Sequence, residues 1–136
     1  MIAVYSNQQA AAADWKSPCT WHELYTTDLE KGFAFYEQMF GWHKTDAMQM
    51  PEGGTYQMYG VRGKTLGGMM VKPPNMPMPA WTYYFTLADT DASFAKAQAL
   101  GAKTVYPPME VPGGDRVAML IDPLGAAFAI HSLKKA

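Results

Sequence analysis

Cysteine is almost missing from this chain. Cys19 is the only one in 136 residues, so no disulfide can form within the chain, and a reducing, cytoplasmic setting is expected. Charge is sparse as well. Charged residues make up 17% of the sequence and the formal net charge is −1. With no basic run, nothing in the charge pattern would hold nucleic acid or an anionic membrane surface. No apolar run approaches the ~20 residues a membrane-spanning helix needs. The opening "MIAVYSNQQAAAAD" has no positive charge ahead of its apolar residues and predicts no secretory signal. Residues 1–16 read as an arm outside the core. There is no G-x-S-x-G turn for a nucleophilic serine, and "GVRGKTLGG" lacks the residue order of a phosphate loop. Cys19 has no base at a spacing that suggests activation, so a nucleophilic role is not expected.

Apolar and aromatic residues are plentiful. The apolar fraction is 49%, enough for one domain with a real core. Eleven methionines and eighteen aromatic residues stand out. Methionine is flexible and polarizable, and it lines adaptable apolar pockets as readily as cores. The Met-x-Met pairs at 48/50 and 76/78 lie near prolines and read as hydrophobic plugs rather than copper ligands. His43 follows a helix end, where a cation eases the helix dipole. Glu23 and Glu110 read by default as ordinary surface charges.

The chain repeats itself. Displaced by 60 positions, Trp21 falls on Trp81, Thr26 on Thr86, Gln38 on Gln98, Gly41 on Gly101, and Gly53-Gly54 on Gly113-Gly114. Each half opens with a β-prone run, "TWHELYT" or "AWTYYFTL", and then enters a helix. In the first half Thr27-Asp28-Leu29-Glu30 reads as a capping box. Leu29, Phe33, Tyr36 and Phe40 follow as an apolar stripe, and Gly41 ends the helix. In the second half an Asp-rich start leads to the stripe Ala92, Ala95, Ala99 and a terminal Gly101. Three short strands are predicted after each helix. Between the halves "KPPNMPMPA" is a proline-rich linker that cannot be helix or central strand. The order is βαβββ, linker, βαβββ, an α+β fold in which two units must pack together to bury their sheets.

The segments "WHELYTTDLEKGFAFYEQMFGW", "GGMM", "AWTYYFTLADTDASFAKAQALGA" and "VPGGDRVAMLIDPLGAAFAI" resemble the vicinal oxygen chelate superfamily, in particular its bacterial glyoxalase-related and bleomycin-resistance-like proteins. The resemblance implies one domain over residues 17–136, with module one at 19–72, the linker at 72–80 and module two at 81–132. Two βαβββ modules would form a cup-shaped sheet around a small ligand. Metal-using members carry a ligand on the first and last strand of each module. Those four positions fall on His22, Met69, Thr82 and Ala129, which the displacement of 60 also pairs. One histidine, a thioether, a hydroxyl and a methyl group do not make a catalytic divalent-metal site. Glu23 and His131 are expected on the opposite face by strand alternation.

The expected site is therefore an apolar cup without a metal or other cofactor. His22, Leu24, Thr26, Met69, Thr82, Tyr84 and Ala129 would line it, with Tyr56, Met58 and Met119 from adjoining strands. The function expected is small-molecule binding in a sequestration or resistance role; its rival is a glyoxalase-related enzyme using His22 as general acid or base or within a metal site. A filled cup with His22 in the core is the plainer possibility. The linker could span roughly 28 Å if extended, long enough to build the cup within a chain or between two. The apolar Trp15 and the linker methionines predict a homodimer.

Overall fold

The structure, a computed structural model, describes residues 19–134. The arm at residues 1–16, with Trp15, lies outside the described residues. The elements run β1 (Cys19–Thr26), α1 (Leu29–Phe40), β2 (His43–Gln49), β3 (Thr55–Val61), β4 (Lys64–Val71), β5 (Ala80–Thr86), α2 (Thr90–Ala99), β6 (Lys103–Glu110), β7 (Arg116–Ile121) and β8 (Ala127–Ser132). This is the expected α+β order of two βαβββ modules. All eight strands form one sheet in the order β2-β3-β4-β1-β5-β8-β7-β6. In each module the first strand lies parallel to the last, and β1 joins β5 antiparallel at the centre. The two modules thus complete one cup-shaped sheet within a single chain.

The first helix starts at Asp28, not at Thr27. Asp28 has extended backbone and its carboxylate accepts from the Lys31 amide at 3.0 Å. Gly41 ends the helix at φ 66°, and its amide donates to the Glu37 carbonyl at 2.8 Å. Leu29, Phe33 and Tyr36 pack with Leu24, Tyr59 and Met69 of the sheet, and Trp42 and Trp81 close the cluster. Phe40 is largely exposed, although it stacks on Tyr36. The second helix is capped by Asp89. Its packing stripe is Thr90, Phe94 and Ala97, not Ala92, Ala95 and Ala99, because Phe94, the one large apolar side chain of the helix, sets which face is buried.

Both helices cover the same face. Leu24 opposes Trp81 across β1 and β5, while Phe85 lies beside Ile130, which packs under α2. The other face is free of helices and is the inside of the cup.

The internal repeat is real, but its step is 61. The cap Asp28 corresponds to Asp89. The turn in which Met50 N donates to Gly54 O and Gly53 N to Met50 O recurs as Val111 N to Asp115 O and Gly114 N to Val111 O. Residues 50, 53 and 54 thus map to 111, 114 and 115. Since side chains alternate along a strand, this difference of one residue exchanges the two faces.

Candidate ligand site on the helix-free face

The alternation along β1 fixes the site. Leu24 packs against α1, and Thr26 lies against Gly32 of the same helix, so Trp21, Glu23 and Tyr25 face into the cup. His22 shares the helix side with Leu24, and its ring meets Tyr83 edge-on at 5.5 Å between centroids. Of the residues expected to line the cup, Tyr56, Met58, Thr82, Tyr84, Met119 and Ala129 are on its inner face. His22, Leu24, Thr26 and Met69 are not; they lie on the helix face, because the displacement of 60 carried module one out of phase. Glu23 and His131, expected to point away, point in.

Glu23 occupies the floor. It is only 5% exposed, yet it belongs to none of the ion pairs among the described residues. Phenols hold it instead. Tyr56 donates to one carboxylate oxygen at 2.8 Å, and Tyr84 donates to the other at 3.0 Å. The indole N–H of Trp21 donates to the Tyr56 oxygen at 2.8 Å, and the Tyr84 and Tyr106 hydroxyls meet at 2.8 Å. Gly68 makes this possible: a Cβ there would overlap the Tyr56 ring, so only hydrogen leaves room for the ring over β4.

Burial pushes the phenols of Tyr25, Tyr56 and Tyr84 far above the ordinary tyrosine range, and the Glu23 charge pushes them further. Tyr106 is pushed up to about 12, mainly by burial. All four stay protonated near neutrality, and Tyr56 and Tyr84 donate to the carboxylate. Across the strand from Glu23 lies Thr82, 1% exposed, whose hydroxyl is buried without a protein partner. Val117, Met119 and Ala129 supply apolar wall.

At one end of the face, His131 Nε2 lies 3.0 Å from Asp115 and Nδ1 3.3 Å from the Thr86 hydroxyl. The His131 hydrogen bond and the Lys134 amide hold the Asp115 carboxyl below its usual 3.8. A carboxyl whose folded value is depressed stabilises the protein above its ordinary range, and that contribution disappears as pH falls through the lowered value. Asp115→Asn should therefore shrink the drop in urea midpoint between about pH 7 and about pH 3. A drop as large as in the unaltered protein would exclude Asp115 from acid sensitivity.

A divalent metal does not fit here. With the step of 61, Trp21 maps to Thr82 and Gly68 to Ala129, so the four related strand positions carry an indole, a hydrogen, a hydroxyl and a methyl group. Both oxygens of the Glu23 carboxylate already accept from phenols. Among the described residues no three His, Cys, Asp or Glu side chains are grouped to hold an ion. A cavity of about 290 Å³ lies elsewhere, beside the start of α2, but its Arg116 is already bound by Asp91 through two hydrogen bonds.

Trp21, Tyr25, Gly68 and Tyr106 were not expected at the site, and Glu23 and His131 were expected on the other face. The signal that finds them is the pair of helix caps, Asp28 and Asp89, which sets the repeat at 61.

Comparison with known proteins agrees with this architecture. The profile of the Glyoxalase/Bleomycin resistance protein/Dioxygenase superfamily matches residues 19–130. CFP32 of Mycobacterium bovis, provisionally named a glyoxylase, is 35% identical over 111 residues, covering 81% of this chain and 42% of that protein. The anthracycline biosynthesis protein DnrV of Streptomyces peucetius is 32% identical over 124 residues, covering 81% of this chain and 45% of that protein. The chain thus spans less than half the length of these relatives. Among solved structures, methylmalonyl-CoA epimerase from Mycobacterium tuberculosis superposes with a TM-score of 0.65 at 14% identity, covering 93% of this chain and 96% of that one. A variant of the Streptomyces coelicolor epimerase in complex with 2-nitronate-propionyl-CoA gives 0.62 at 17% identity, covering 88% and 99%. These structural likenesses concern the fold alone.

Proposed function

From the premise that this chain belongs to the Glyoxalase/Bleomycin resistance protein/Dioxygenase superfamily, we propose that it binds a mostly apolar small organic molecule inside the cup without a catalytic metal. One observation carries the reading. The four related strand positions offer one weak metal donor, the Thr82 hydroxyl, whereas the same face keeps aromatic walls around a buried carboxylate. A few polar groups set in an apolar concavity are the usual makings of a small-molecule site. Two relatives are named for a glyoxylase and for anthracycline biosynthesis, and both names concern small organic molecules. An enzymatic alternative would need a group other than His22, whose ring packs on the exposed Tyr83 on the opposite side of the sheet from the cup.

Other expectations remain part of this proposal. No helix among the described residues is long and apolar enough to cross a membrane, and we place the protein in the cytoplasm on the strength of its single cysteine. A homodimer is favoured by the exposed Phe35, Met39 and Phe40 along α1 and by Met78 in the linker. Neither binding nor cup formation requires the second copy.

Trp21 gives a direct readout. Titration with 2-naphthol should change its fluorescence saturably, and Trp21→Phe should remove that component while Trp15, Trp42 and Trp81 remain. The response should be the same in excess EDTA. A titration that never departs from the dilution line would end the ligand-binding reading, and loss of the response in EDTA would end its metal-free part.

A further inference from the structure

The hydrogens of the Glu23 network can be counted, and the count has a direction. Tyr84 has one phenolic hydrogen, which it donates to Glu23 at 3.0 Å. At its 2.8 Å contact with Tyr106 the hydrogen must then come from Tyr106. That leaves the Tyr106 oxygen with lone pairs alone to offer. Tyr56 likewise gives its hydrogen to Glu23, and its oxygen receives the Trp21 N–H. Every donor in the network points inward at one carboxylate. What faces the ligand is electron-rich: the Tyr106 lone pairs and the π-faces of Trp21 and the tyrosines.

A second feature is independent of hydrogen direction. Glu23 is a buried charge with no cation in any ion pair of the described residues. Buried charges are ordinarily paired, and hydrogen bonds from phenols supply only part of what a cation would. The Thr82 hydroxyl, buried without a partner and opposite Glu23, adds one more atom able to accept from a ligand.

Resting on the binding role proposed above, we infer that the cup selects organic cations: an aromatic or aliphatic body carrying a protonated primary or secondary amine. The Tyr106 oxygen receives an ammonium N–H, the aromatic walls attract the charge, and Glu23 compensates it through Tyr84 and Tyr56. A neutral ligand of the same shape forfeits the charge terms, and an anion is repelled.

Calorimetric titration of the full chain with 2-naphthylmethylammonium and with 2-naphthylmethanol tests this, since the two share one body and differ in charge. The ammonium should bind at least ~10-fold more tightly, the scale of one hydrogen bond to a charged group. In Glu23→Gln the amide donates to one phenol oxygen and turns that phenol's hydrogen outward, so the preference should fall to near unity. Tyr106→Phe keeps the Glu23 cage and removes only the outermost acceptor; the ammonium should lose more affinity than the alcohol, whose O–H makes the weaker hydrogen bond there, so the preference should fall by ~3-fold. This second variant decides the matter if Glu23→Gln does not fold. If both probes bind saturably with equal affinity, the cation inference is wrong and the small-molecule role stands. If neither binds at millimolar concentration, both are wrong.

Discussion

Glu23→Ala should lower the stability of the folded protein by about 3 kcal/mol, read as a fall in the urea midpoint at unchanged slope. The substitution leaves the Tyr56 and Tyr84 hydroxyls, 8% and 6% exposed as residues, without the acceptor they share. An unsatisfied buried hydroxyl costs about 1–3 kcal/mol, and the removed side chain leaves a cavity besides. Relief of the buried charge works against these losses, and so keeps the expectation near the lower end of their sum. Glu23→Gln retains one acceptor and the volume and should lose about 1 kcal/mol. A change below about 0.5 kcal/mol for the alanine variant would mean that the phenols find other acceptors and that Glu23 does not organise the floor.

Gly67→Ala should do more, leaving no stably folded protein or at least about 4 kcal/mol less stability. A Cβ at Gly67 would collide with the His22 carbonyl of β1, and it would also lie 2.7 Å from the Tyr59 hydroxyl. His22 and Gly67 are register partners in the parallel β1–β4 pair that closes module one. Backbone is the obstacle, so no rotamer change relieves the clash and the two strands must separate. Gly68→Ala, one residue along, makes an informative contrast. There the obstacle is the Tyr56 ring, a side chain able to move. That variant should fold, lose the Tyr56–Glu23 hydrogen bond and expose the carboxylate. Circular dichroism melts of the two variants, with the unaltered protein beside them, distinguish the cases. A Gly67→Ala protein that melts like the original would refute the packing ascribed to β1 and β4.

Much of this protein is local and can be read along the chain. The β-prone runs, Gly41 after a helix, the proline-rich linker and the recurrence of βαβββ are set by neighbours a few residues apart. So is the superfamily, whose motifs lie in continuous segments such as "FYEQMFGW" and "DPLGAAF". Strand order within the sheet came from the structure, since the linker length allowed the cup to form within one chain or between two. What remained open locally was parity. "TWHELYT" alternates equally well with His22 inward or Glu23 inward, and coincident glycines at 53/113 favoured the wrong choice. Only packing breaks the tie: Leu24 and Thr26 must meet α1, which sends Glu23 into the cup. Burying a carboxylate there is tolerable because Tyr56 and Tyr84, 33 and 61 residues away in the chain, bring it hydrogen bonds. No local pattern signals that a glutamate will be satisfied across such distances. The sequence by itself determined the elements, their order and the family, because these depend on short-range sterics and on continuous motifs. Tertiary structure alone decided which face of β1 became the site, because that depended on which side chains the helices covered and on donors arriving from distant strands.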